Sequence, residues 1–305
     1  MKQLSVLTAI SVILGLSGCG AGKEPNAANH VPEVGGETSV KLKETFAAGD
    51  VLHITDERSS EVTTQEADPT GKVLKDERIK GRQTLIFTRT VLAVSDKSKF
   101  PTQMRQEYER AEKTDNEKTV QFGIHGKTVI IEKKDGRWQS RYEDGEELDL
   151  KDALVVSPQD EGGIEMFNEL LLPKTPVNVG APWALDVAVA RRMEQASFLF
   201  RLDTEKFVGT GKLARVYRQD GHQFGFLEFT MDMPIANTNT EKGSRQATKI
   251  TIDGCVDGTS HTGTMTMEQN TNIIQPATAE KPRFMMDNRI NLRLVRKELV
   301  SGKAK

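Results

Sequence analysis

Cysteine is scarce in this chain, with two among 305 residues, at positions 19 and 255. That scarcity excludes a disulfide-stapled secreted fold and a zinc site built from paired Cys-x-x-Cys motifs. Aromatic residues make up only 6% of the sequence, so few side chains are present on which sugars or bases could stack. Charge of one sign is also lacking: 42 Lys and Arg stand against 44 Asp and Glu, mixed along the length. Nucleic acid and strongly anionic surfaces therefore find no basic block to bind. No apolar run reaches the about 20 residues that a membrane-spanning helix requires. The five histidines fall in no HxH or HExxH spacing, and GxSxG, P-loop and dinucleotide fingerprints are missing. No cofactor is implied.

What is present begins at the N-terminus. Lys2 supplies a positive start, Leu4 to Leu16 form an apolar stretch broken by Ser, Thr and Gly, and Leu16-Ser17-Gly18-Cys19 follows. This pattern resembles the signal and lipobox of bacterial lipoproteins. The resemblance implies that residues 1–18 are a cleaved signal peptide. It also implies that the Cys19 thiol carries a diacylglyceryl group and that the new N-terminus is acylated, with palmitate as a typical chain. Each buried methylene contributes about 0.8 kcal/mol, so two or three acyl chains anchor a protein stably. Gly20, in place of Asp, points by the same resemblance to the periplasmic face of the outer membrane. Loss of Lys2 makes the formal net charge of −2 more negative by one.

Residues 19–40 read as the lipidated Cys and a flexible tether. Gly20 to Thr38 is rich in Gly, Asn, Ala, Pro and Glu, with Val31 and Val34 as its larger aliphatics. Such a segment buries too little apolar surface to offset its ordering entropy. Its root-mean-square span as a flexible chain is roughly 25 Å.

The remainder reads as mainly β (α+β), a long antiparallel curved sheet or half-barrel built from hairpins, with two or three short helices. Asp-Gly pairs at 135–136, 144–145, 220–221, 253–254 and 257–258 are candidate tight turns. Period-two alternation flanks them: Leu227, Phe229, Met231 and Met233, then Ile250 with Ile252, Met265 with Met267, and Ile290 with Leu292 and Leu294. Val51 to Thr64 and Thr84 to Val94 are earlier strands, the first closed by an Asp68-Pro69-Thr70-Gly71 turn. Helices are expected over Glu161 to Leu172 and after Asp186, while Gln103 to Lys113 fits either a helix or an edge strand. The expected organisation is a first β-rich half over 41–180, a second over 181–300 continuous with it, and a polar tail over 301–305.

Leu172-Pro173-Lys174-Thr175-Pro176-Val177-Asn178-Val179-Gly180, followed by Trp183, resembles a stretch of β-rich secreted proteins of planctomycete type. That resemblance implies a β-rich fold and brings no activity with it. The prolines and glycine make this a non-helical link, with Trp183 plugging the joint.

Two chemical readings stay open. Phe224, Phe226, Phe229, Met231, Met233, Met265 and Met267 are expected to line adjacent strands, where Met and Phe form an adaptable apolar surface. Ordinary sheet core explains such residues well. The sharper reading is an apolar groove resembling the half-barrels of lipoprotein carriers and their receptors, in a non-enzymatic module whose partners are the membrane, a lipid or other hydrophobic ligand, or an envelope protein. The rival is a hydrolase assembled near Asp253, Cys255 and His261. Asp253, Asp257 and Gly258 match three positions of an EF-hand loop, but Cys255 and Thr264 occupy positions where ligands are required. A pair of turns joining strands accounts for this segment more simply.

Overall fold

The computed structural model describes residues 39–97, 99–156, 171–188, 191, 201–236, 240–241, 243–278 and 281–300. Cys19 with its expected lipid, the expected tether up to residue 38, most of the helix expected at 161–172 and most of the helix expected after Asp186 lie outside the described residues. Ser39–Val40, the last two residues of the expected tether, form a strand instead, with Val40 buried.

Alternation of apolar and polar side chains produces fourteen strands among the described residues. They are β1 (Ser39–Val40), β2 (Val51–Ala67), β3 (Val73–Val94), β4 (Pro101–Asp115), β5 (Lys118–Gln121), β6 (Thr128–Lys134) and β7 (Arg137–Tyr142). After helix α1 (Leu150–Val156) come β8 (Val177–Asn178), β9 (Pro182–Ala184), β10 (Val208–Gln219), β11 (His222–Pro234), β12 (Arg245–Cys255), β13 (Gly263–Gln275) and β14 (Arg283–Val300). Twelve of them form one open antiparallel sheet in the order β7-β6-β4-β3-β2-β14-β13-β12-β11-β10-β9, with β5 added on β4. Two hairpin meanders thus meet at the β2–β14 pair, which joins strands of the 41–180 and 181–300 regions in one sheet. With 22 residues, β3 spans roughly 70 Å at about 3.3 Å per residue.

Turn chemistry sets the register. Asp135-Gly136 and Asp220-Gly221 have positive φ at both positions (52° and 81°, 52° and 82°), the geometry of two-residue hairpins. Asp68 accepts backbone hydrogen bonds from Gly71 and, through its side chain, from Thr70 and Lys72. Asp253-Gly254 is not a turn. It lies within β12, where Asp253 faces Phe226 on one side and Thr264 on the other.

Gln103 to Lys113 belongs to β4, between β3 and β6, and is not a helix. Met104, Gln106 and Tyr108 point inward at period two, and that burial overrides the helical preference of the Arg and Glu residues between them. Helix α1 was not anticipated. Asp149 caps it by accepting the Asp152 amide proton at 2.8 Å. Asp186 accepts the Ala188 amide proton at 2.7 Å.

The sheet has a wet face and a dry face, as hairpin sheets commonly do. The wet face carries Thr pairs (Thr210–Thr230, 2.8 Å; Thr251–Thr266, 2.6 Å) and cross-strand ion pairs such as Arg82–Glu57 at 3.0 Å. The dry face forms one core with Val40, Leu42 and Phe46 of the N-terminal segment, Val156 of α1, and Leu171, Val177, Leu185 and Leu202. Among the described residues, no helix is long and apolar enough to cross a membrane.

Candidate functional site

Directly opposed residues of an antiparallel sheet share a face, so the pairing defines rows across the inner surface. One row runs Leu227, Ile252, Met265, Leu294. The next runs Phe229, Ile250, Met267, Leu292. Phe229, Met231, Met233, Met265 and Met267 are all buried on this face. Phe224 and Phe226 are not part of it, because they are out of phase with Leu227 and Phe229 by one residue. Phe224 stacks on Tyr217 at 5.5 Å, and the Arg215 guanidinium sits 5.2 Å over the Phe226 ring.

Polar groups interrupt this apolar surface. The third row is Met231, Thr248, Gln269, Ile290, and the fourth is Met233, Gln246, Thr271, Asn288. Gln246, Thr248, Thr271 and Asn288 are each no more than 5% exposed. Their Oε1, Oγ1, Oγ1 and Oδ1 atoms have no hydrogen-bond partner among the described residues. An orphaned buried polar group costs about 1–3 kcal/mol, whereas an apolar replacement of similar shape costs little. These four groups therefore weaken the core. They escaped the sequence reading, although the signal was available: Gln269 and Thr271 keep the phase of Met265, Met267 and Ile273.

Toward β3 and β4 the inner face is more polar still. The Arg89 guanidinium lies 5.5 Å from the Phe87 ring and within 2.7–3.0 Å of the Gln106 amide oxygen, and burial pulls its pKa down to about 10. Asp56 accepts two hydrogen bonds from Arg58, at 3.0 and 2.6 Å.

The Asp253–His261 segment distributes its three candidate residues to three different partners. Asp253 accepts the Tyr217 hydroxyl proton at 2.5 Å on the wet face. Cys255 donates its thiol proton to Asp257 at 3.0 Å and accepts the Ser260 amide proton at 3.3 Å. Burial, then the bond to Asp257, pushes the thiol pKa up, the reverse of what a nucleophile requires. Burial would also raise the Asp257 carboxyl. The protons it accepts from Thr259, Cys255 and the Gln223 amide outweigh that effect and bring it to about 2. Those same bonds occupy the oxygens that a cation would use.

His261 is fully buried with Asp50, its Nε2 lying 2.9 Å from Asp50 Oδ2. Its ring stacks on Phe46 at 4.3 Å. Its carbonyl accepts from Arg296 Nε at 2.7 Å, and Arg296 Nη2 donates to Glu44 Oε1 at 2.7 Å. With the Lys43 amide donating to the Val256 carbonyl at 2.8 Å, this cluster clamps the segment through which the N-terminal region enters the sheet. The segment forms one turn after the β12 strand end, with Gly258 at φ 75°, where two turns were expected. Among the described residues, no three His, Cys, Asp or Glu side chains converge as a metal site.

Trp183, expected to plug the joint between the halves, stands instead on the edge strand β9, away from the β2–β14 pair where the halves meet. It lies opposite Gly211, donates its ring N–H to the Leu171 carbonyl at 3.3 Å and meets Phe229 edge-on at 6.0 Å.

No protein-family model matches the chain, and no curated protein matches it in sequence. A solved structure of lipovitellin, described as showing lipid-protein interactions, matches 85% of this chain and 26% of its own, at 7% identity and a TM-score of 0.35. This chain thus spans about a quarter of the lipovitellin chain it matches. A crystal structure of Pseudomonas aeruginosa OpdQ matches 82% of this chain and 98% of its own, at 9% identity and a TM-score of 0.18. Likenesses this slight carry no argument about function.

Proposed function

We propose that this chain is a lipid-anchored protein of the cell envelope, on the periplasmic face of the outer membrane. It acts there as a non-enzymatic module that holds an apolar ligand against the inner face of its sheet. The observation that supports ligand binding most is the contiguous surface that Phe229, Met231 and Met233 of β11 and Met265 and Met267 of β13 form with Ile250 and Ile252 of the intervening β12. Unbranched, polarisable Met side chains adapt to ligands of varied shape. The anchor reading rests on Leu16-Ser17-Gly18-Cys19.

Native mass spectrometry of the full chain carrying Cys19→Ala tests the ligand reading. A retained hydrophobic molecule of defined mass is expected, and a ligand-free spectrum from protein purified without detergent would count against it. The same variant tests the anchor: it should leave the membrane fraction and lose acyl labelling, and unchanged partitioning would sink the localisation.

A further inference from the structure

We propose that Gln246, Thr248, Thr271 and Asn288 form a subsite for the uncharged, hydroxyl-bearing head of an amphipathic lipid, whose acyl chains lie on the Phe229–Ile250–Met267 and Ile252–Met265–Leu294 rows. The inference rests on the ligand-holding role above and specifies which end of the ligand lies where.

Three features of the inner face carry it. Four buried polar atoms without partners stand on three consecutive strands, β12, β13 and β14. Thr271 is directly opposed to both Gln246 and Asn288, and Thr248 lies on the neighbouring row of the same face. Random placement of polar residues in a core would not gather its orphans in this way, and native cores keep such groups few. Second, the set is chemically neutral and two-sided. The carboxamide oxygens of Gln246 and Asn288 accept protons from ligand hydroxyls, and the Thr248 and Thr271 hydroxyls donate to ester or ether oxygens. Third, the two rows hold no cation. An anionic headgroup would meet two carboxamide oxygens and, among the described residues of these rows, no Lys or Arg to neutralise it, while the inward guanidinium of Arg58 on the neighbouring β2 is already paired with Asp56. Immediately beside the polar rows the surface becomes wholly apolar at Phe229, Ile250, Met267 and Leu292, the boundary that an acylglycerol or a neutral glycolipid presents.

Uptake of three probes by the full chain carrying Cys19→Ala tests this, read by native mass spectrometry and by the shift in Tm. The probes are dioctanoylglycerol, dioctanoylphosphatidic acid and hexadecane. Dioctanoylglycerol should bind at least about 10-fold more tightly than the phosphatidic acid. In Thr248→Val with Thr271→Val, a shape-preserving pair, the unliganded Tm should rise, because two orphans are removed. Affinity for dioctanoylglycerol should fall about 10-fold, with hexadecane uptake unchanged. Gln246→Leu with Asn288→Leu should reproduce the same pattern, and it carries the comparison if the first pair fails to fold. Equal affinity for the two charged and uncharged heads would overturn the proposal, as would a lowered unliganded Tm in both variant pairs. Uptake of hexadecane without preference for dioctanoylglycerol would remove the head subsite and leave the apolar-ligand reading standing. No uptake of any probe would overturn both.

Discussion

Replacing Gly211 by Ala probes how the edge of the sheet is closed. A Cβ at this position would lie 2.4–2.6 Å from three ring atoms of Trp183, its cross-strand partner. Ordinary van der Waals contact begins near 3.4 Å, so the indole must withdraw by about 1 Å. Withdrawal lengthens the 3.3 Å bond to the Leu171 carbonyl and disturbs the edge contact with Phe229. Overpacking of this kind costs about 1–3 kcal/mol. Against it stands the gain of about 0.5–1 kcal/mol that Ala makes over Gly within a strand. The expected net effect is a destabilisation of about 1–2 kcal/mol. With Trp183→Ala already in place the clash is gone, and Gly211→Ala should be neutral or stabilising by up to about 1 kcal/mol. The coupling between the two sites is then about 2 kcal/mol, measurable by urea denaturation followed by circular dichroism of the wild type, both single variants and the double variant. Additivity within about 0.5 kcal/mol would refute the reasoning, because it would mean that the ring does not rest on the glycine.

Other consequences are open to measurement. Met267→Ala removes a fully buried side chain and should cost about 2–5 kcal/mol in denaturant unfolding; a cost below about 1 kcal/mol would show that the inner face is loosely filled. Cys255 should alkylate slowly at neutral pH, with a rate that keeps rising beyond the pH at which a free thiol levels off, and fast labelling of the native chain would contradict its burial and its bond to Asp257. Asp257 has a folded-state pKa near 2, below its ordinary value of 3.8, so its contribution to stability is fully present above 3.8 and lost as the pH falls toward 2. Asp257→Asn should therefore flatten the acid limb of the stability profile in that window, and an unchanged limb would argue against the loop geometry.

Much of the architecture was legible because period-two alternation and Asp-Gly turns act locally. Leu227 to Met233 and Asp220-Gly221 were readable as strand and hairpin without knowing what they touch. Gln103 to Lys113 was not, since its Arg and Glu residues favour helix, and only placement between β3 and β6 decides for strand. Asp253-Gly254 carries turn chemistry yet sits in β12, because pairing on both sides outweighs a dipeptide preference. Helix α1 is seven residues long and owes its place to the Asp149 cap and to Asp152, which takes protons from Tyr142 and the Gly123 amide.

The sequence alone determined the mainly antiparallel β class and the identity of the apolar strands, and it carries the lipobox resemblance at Cys19, since each is written in residues adjacent along the chain. Tertiary structure decided the partners. It gave Cys255 to Asp257 and His261 to Asp50, and gathered Gln246, Thr248, Thr271 and Asn288 beside the Met rows. The physical reason is register: a strand's own sequence fixes which side chains share a face, but only pairing across the sheet fixes which of them become neighbours.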